Sequence, residues 1–159
     1  MANNKDLSVM INDVKLNIRV GVILEYNKKI LIEKNKEFDY CVLPGGRIHT
    51  LESTEEALIR EVKEELGIDI SEKNLKIFSI IENFFEKDNK NYHELYYLYK
   101  IELDNDYNIK DGFENIDNND SDFYWYTREK FKENNILPSI LKEIIDNKEF
   151  KNYIVKDIK

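Results

Sequence analysis

Arg60-Glu61-Val62-Lys63-Glu64-Glu65 places three carboxylates within one turn of whatever helix carries them. Residues three and four apart share a helix face, so the three acids lie on a single stripe. Like charges at that spacing repel and cost helix stability. Hard divalent cations such as Mg²⁺ or Mn²⁺ reverse that cost, because they take oxygen ligands from a few carboxylates, water and substrate phosphate. An isolated run of this kind reads better as a solvated acidic face. Here Leu58, Ile59, Val62 and Leu66 form an apolar stripe that adjoins the acids instead of opposing them. The carboxylates therefore belong at the rim of a cleft.

Ser53 followed by Glu56 is a capping box, which starts the helix just after Glu52. Gly67 ends it, since the residue past the last turn often adopts a left-handed conformation that glycine takes at little cost. Ala57 is small enough to leave room among the acids. Ahead of the helix, Leu43-Pro44-Gly45-Gly46 reads as a strand running into a glycine turn, where backbone carbonyls can approach an ion closely.

Taken together, residues Gly46 to Ile68 complete the pattern G-x5-E-x7-R-E-U-x-E-E-x-G-U, where U is aliphatic. This resembles the diagnostic box of the Nudix hydrolase family. The resemblance implies an α/β fold, an α/β/α sandwich around a mixed β-sheet, spanning residues 16–148 of a single domain that occupies 1–159. It implies metal ligation by Glu61, Glu64 and Glu65, with the carbonyl of Gly45 as a further ligand. It implies that Glu52 and Arg60 pair to orient the helix, so that all five side chains form the catalytic constellation. Leu51 stands where the family usually has glycine, which bears on the shape of the loop.

The activity implied is Mg²⁺- or Mn²⁺-dependent cleavage of a diphosphate linkage in a nucleoside diphosphate derivative or nucleoside triphosphate. One of the three acids, or a loop carboxylate, would act as base; Glu94, Asp120 and Asp122 are candidates for a further metal ligand or base, although a surface or hydrogen-bonding role is preferred for each. A non-catalytic nucleotide-sensing domain is the alternative reading. It is disfavoured because the box is intact and no DNA-binding segment accompanies it.

Elsewhere the pattern is mostly β. Leu16, Ile18, Val20, Val22 and Leu24 alternate as a half-buried strand. Tyr26-Asn27-Lys28-Lys29 is a hairpin turn into a second strand at Ile30–Glu33. Strands are expected near 74–85, at Tyr92–Leu103 and at Phe123–Tyr126, with helices at Thr127–Glu133 and Pro138–Asn147. Residues 104–120, rich in Asn and Asp, read as an exposed loop, and residues 1–15 carry no clear signal.

Arg19 projects from the polar side of its strand, where it would meet phosphate or base. Gly46 and Phe84 complete the expected substrate contacts, Phe84 by stacking, as Phe85, Tyr92, Tyr96 and Trp125 also could. Phe84 also occupies the place past the box where related subfamilies carry a proline or a tyrosine, so neither specificity is indicated.

Bulk properties set outer limits. With 32 acidic against 24 basic residues, the formal charge is −8, which argues against a polymeric nucleic acid partner. It does not argue against a nucleotide, whose charge a bound cation neutralises locally. The single cysteine, Cys41, excludes an internal disulfide. No stretch is apolar enough to span a membrane, and the first residues lack a signal-peptide core. A cytoplasmic location is expected, with a small nucleotide as partner and a homodimer left open.

Overall fold

A computed structural model describes residues 5–158. Strands β1 (Ser8–Ile11) and β2 (Val14–Tyr26) form an antiparallel hairpin, turned through Asn12 at φ 53°. Asn27 and Lys28 then take φ 51° and 63°, the paired left-handed geometry that suits a two-residue hairpin. They lead into β3 (Lys29–Asn35), followed by the short strands β4 (Cys41–Val42) and β5 (Gly45–Arg47). Helix α1 (Thr54–Leu66) precedes the long hairpin of β6 (Ile77–Lys87) and β7 (Lys90–Glu102). The chain finishes with β8 (Phe113–Glu114), β9 (Ser121–Thr127), α2 (Arg128–Glu133), α3 (Leu141–Ile144) and β10 (Lys151–Asp157).

The main path of the sheet runs β10-β6-β7-β2-β3-β9-β8. The β2–β7 and β6–β10 pairs are parallel and the others antiparallel, so the sheet is mixed. Alternation along β2 divides its side chains between two cores. Val20, Val22 and Leu24 pack with Leu58, Val62 and Leu66 of α1. Ile23 lies on the other side with Ile30, Ile32 and Leu98, beneath Phe131 of α2 and Leu141 and Ile144 of α3. The expected α/β/α sandwich is the observed one.

Four local expectations are corrected. The sheet begins at Ser8, not Leu16, because Val9, Met10 and Ile11 supply a strand whose side chains stay exposed and so give no burial pattern. Residues 104–120 are not simply an exposed loop: Ile109 and Asn115 are buried, and β8 lies within them. The second C-terminal helix covers only Leu141–Ile144, with Pro138 in the preceding turn, where its carbonyl accepts from the Leu141 N–H. Ala57 is fully buried in the core, which makes the apolar stripe of α1 wider than the aliphatic residues alone suggest.

Between β5 and α1, Leu51 is fully exposed at φ 64°. A side chain costs about 1–2 kcal/mol in this region, more than the roughly 0.5–1 kcal/mol of extra chain entropy that glycine loses on folding. Leu51→Gly is therefore expected to raise stability, read as a higher urea midpoint at unchanged slope. A lower midpoint would show that Leu51 contributes packing that its exposure hides.

Candidate active site

Helix α1 is terminated as its sequence requires. Ser53, in extended conformation, accepts from the Glu56 N–H while the Glu56 carboxylate accepts from the Ser53 N–H, and Gly67 closes the helix at φ 73°. Strand β5 is pinned to β2 by the pairs Arg19–Arg47, Val20–Gly46 and Gly21–Gly45. Gly45, at φ 148°, is sterically required, and Gly46 leaves room for a box carboxylate. A Cβ on Gly45 would lie 2.1 Å from the Val20 carbonyl oxygen, and one on Gly46 would lie 2.4 Å from Oε1 of Glu61. The strand thus passes directly against a box carboxylate.

Arg60 organises the acids. Its Nε and Nη2 donate to the two oxygens of Glu52 at 2.7 and 3.0 Å. Its Nη1 donates to Glu61 at 2.9 Å and to Glu64 at 3.3 Å, and Nη2 also reaches the Arg47 carbonyl at 3.0 Å. Glu52 accepts in addition from the His49 N–H at 2.8 Å. Hydrogen bonding to Arg60 holds the Glu52 carboxyl below its ordinary pKa, partly offset by burial. Burial opposes charge on Arg60 itself, but its bonds to Glu52 and Glu61 keep it protonated. Glu61 is shifted the other way: burial raises it despite Arg60, helped by Glu64 and Asp117.

Glu65 is held elsewhere. It is 4% exposed, and its two oxygens accept from the Gly45 N–H and from Nδ2 of Asn115, each at 2.9 Å. Burial, with the nearby charges of Glu33 and Glu61, pushes it up to about 9. Glu33 of β3 accepts from Asn115 at 3.0 Å and from the Ser121 hydroxyl. Glu33, Asn115 and Asp117 all escaped the sequence reading.

Among the described residues, no three acidic, histidine or cysteine side chains stand ready as a group to hold a metal ion. The reason is visible in the contacts: Arg60 draws Glu61 and Glu64 to itself, while Gly45 and Asn115 hold Glu65. Glu52, Arg60, Glu61, Glu64, Glu65, Gly45 and Gly46 are nonetheless brought together.

The other expected contacts are not. Phe84 lies on the α1 side of the sheet in the row of His93 and Leu16, four residues along β2 from Val20, with its ring 4.5 Å from that of His93. Arg19 lies on the opposite face from α1, in register with Arg47 and Tyr96. Its charge lowers the pKa of Glu94, which burial otherwise raises. Arg47 is a further addition: its Nε is buried and has no hydrogen-bond partner among the described residues. A cavity of ≈ 360 Å³ is lined by Lys34, Lys36, Lys130, Tyr124 and Tyr126, none of them a residue of this cluster.

This fold, with a carboxylate-rich helix capped against a glycine strand, defines a class that the comparisons identify. A family model described as the NUDIX domain matches residues 15–147, and the chain belongs to the Nudix family. It is 34% identical over 70 residues to a protein of Proteus vulgaris named 8-oxo-dGTP diphosphatase, covering 42% of this chain and 62% of that one. Over 50 residues it is 48% identical to an ADP-ribose pyrophosphatase of Methanocaldococcus jannaschii, covering 30% of each. The chain thus spans less than two thirds of these curated relatives. Among solved structures, a mutator MutT protein from Bacillus halodurans superposes with TM-score 0.66 at 16% identity, covering 88% of this chain and 90% of that one. A MutT protein from Methanosarcina mazei Go1 gives TM-score 0.61 at 21% identity, covering 86% and 94%. These likenesses establish the fold. No helix among the described residues is long and apolar enough to cross a membrane.

Two outcomes follow from the electrostatics. A carboxyl whose folded pKa is raised stabilises the fold fully below its unfolded value, and that stability is lost as pH rises through the folded value. With Glu65 raised to about 9, metal-free protein in EDTA should melt at lower temperature as pH rises from about 5 to 9. Glu65→Gln should flatten that decline; a mutant that melts in parallel with the parent would locate the effect elsewhere.

Arg60→Ala should cost about 3 kcal/mol, because it strands half-buried carboxylates. Combining it with Glu52→Gln should cost clearly less than the sum of the two single changes. Strict additivity in urea melts would show the pair uncoupled.

Proposed function

We propose that this chain is a diphosphohydrolase that uses Mg²⁺ or Mn²⁺ to cleave a diphosphate linkage in a nucleoside diphosphate derivative or a nucleoside triphosphate. The observation that carries this reading is the approach of β5 to α1, where Gly46 lies against Glu61 and Gly45 donates to Glu65. The donor set is wholly oxygen, which suits a hard divalent cation. Glu61, Glu64 and Glu65, with the Gly45 carbonyl, would hold it. Bound there, the ion would neutralise phosphate charge and supply an activated water.

The remaining work falls to the chain's own residues. Arg60 hydrogen-bonds Glu52, Glu61 and Glu64 and aligns them while no substrate is present, which lowers the cost of clustering three acids. Arg19 and Arg47 stand side by side on β2 and β5. Directly opposed like charges destabilise a sheet unless something compensates them; Asp6 lies 3.5 Å from Arg47 and the Glu94 carboxyl interacts with Arg19, and a substrate phosphate would add to both. The unpartnered Nε of Arg47 is a donor suited to that phosphate. Asp117, close enough to Glu61 to raise its pKa, adds a loop carboxylate that can accept a proton from the attacking water. The relatives named 8-oxo-dGTP diphosphatase and ADP-ribose pyrophosphatase support a nucleotide substrate.

Glu64→Gln and Glu65→Gln should each lower kcat by about 100-fold or more, the upper end of what loss of a supporting metal-site residue costs. Both mutants should remain folded by circular dichroism. ³¹P NMR of the reaction in ¹⁸O-water should show a nucleoside monophosphate as product. Parent-level turnover in either mutant at saturating Mg²⁺ would remove these residues from the site. Release of terminal inorganic phosphate alone would refute the linkage proposed.

A further inference from the structure

Asn115 is 3% exposed and sits on a segment whose sequence suggests only a polar loop. Its side chain is used completely. Oδ1 accepts from the backbone N–H groups of Asp117 and Asn118 at 2.9 and 3.1 Å, which shapes the loop. Nδ2 donates to Glu65 at 2.9 Å and to Glu33 at 3.0 Å, so one amide group spans two carboxyls from a helix and a strand. The loop is fastened at a second point next to the first, where the Ile116 N–H donates to the Glu65 carbonyl at 3.0 Å. Glu33 is anchored from behind by the Ser121 hydroxyl. Glu65 is therefore held on one oxygen by β5 and on the other by a loop 50 residues away in sequence.

We infer that Asn115 and Glu33 are positioning residues that set the direction of the Glu65 carboxylate, so that the 113–121 segment controls how the box helix presents its most buried acid. This rests on the proposed role of Glu65 in holding the cation. The alternative is that Asn115 only closes a loop. That alternative predicts that any residue keeping the Oδ1 contacts serves as well, and the two readings separate on the Nδ2 side. Aspartate keeps an acceptor for the Asp117 and Asn118 amides but has no N–H for Glu65 or Glu33. Exchanging the partners, with glutamine at 33 and aspartate at 115, restores a donor–acceptor pair between the two positions and keeps the total charge.

The test compares the parent, Asn115→Asp, Glu33→Gln and the double variant in three measurements: Mn²⁺ affinity by electron paramagnetic resonance, kcat and KM separately, and thermal melting. Asn115→Asp should bind Mn²⁺ about 10-fold more weakly and lose kcat by about 10- to 100-fold, the usual range for residues supporting metal ligands. KM should stay within about twofold, since no substrate contact is removed. The double variant should bind Mn²⁺ as weakly as Asn115→Asp, because it restores only the contact between positions 33 and 115 and leaves Glu65 without its loop donor. Unchanged Mn²⁺ affinity in Asn115→Asp, or parent-like affinity in the double variant, would overturn the inference. If Asn115→Asp does not fold, the double variant still decides it against the parent, by the same loss of affinity. Should the parent bind Mn²⁺ yet hydrolyse no nucleotide, the functional reading fails, while the affinity measurements continue to test the positioning role.

Discussion

The guanidinium of Arg60 is the contact on which the site depends. It joins the loop before α1 through Glu52, the helix itself through Glu61 and Glu64, and strand β5 through the Arg47 carbonyl. A lysine could not replace it, because only a planar fork of donors reaches four acceptors on three elements at once. The bidentate grip on Glu52 also sets the rotation of α1, since Glu52 is tied to the His49 backbone just past β5. The apolar stripe then completes what Arg60 begins: Leu58, Val62 and Leu66 have one way to meet Val20 and Val22, and it brings the acids to the edge of β5.

Two carboxylates of the same helix therefore live in different environments. Glu61 shares its charge with a neighbouring cation. Glu65, one turn on, is surrounded by neutral donors and by another acid, and burial there favours its protonated form. Burial raises both carboxyls, but only Glu61 has a cation beside it to offset the effect. The glycines of β5 let backbone take the room that side chains would fill.

Much of this was legible in the sequence, for identifiable reasons. The capping box and Gly67 are local, so spacing specifies them, and the Arg60–Glu52 pairing followed from the resemblance of the box to the Nudix family. Glu33 and Asn115 were not legible because their significance comes from contacts 82 residues apart, and a buried Asn among loop Asn and Asp residues has no distinguishing neighbour. Strand β1 was missed for the converse reason: it pairs through its backbone while Val9, Met10 and Ile11 face solvent. Arg19 was assigned to the polar side of β2 correctly, but period-two alternation cannot reveal which face of the sheet α1 covers. That depends on the β2–β5 pairing.

The parallel pairings have a consequence for how the chain acquires its shape. Strand β2 meets β7 only after the whole box helix and β6 exist, and Ser79 on β6 reaches the Lys151 carbonyl across 72 residues. Contacts that distant make folding slow, because the entropy of closing the intervening chain is lost before they form. Helix α1 and its two caps, by contrast, are local. During synthesis the residues from Glu33 to Ser121 that frame the site all emerge before β10. The final strand closes an edge of the sheet around machinery whose parts are already present, and until it does, β6 offers an open edge to any neighbouring chain.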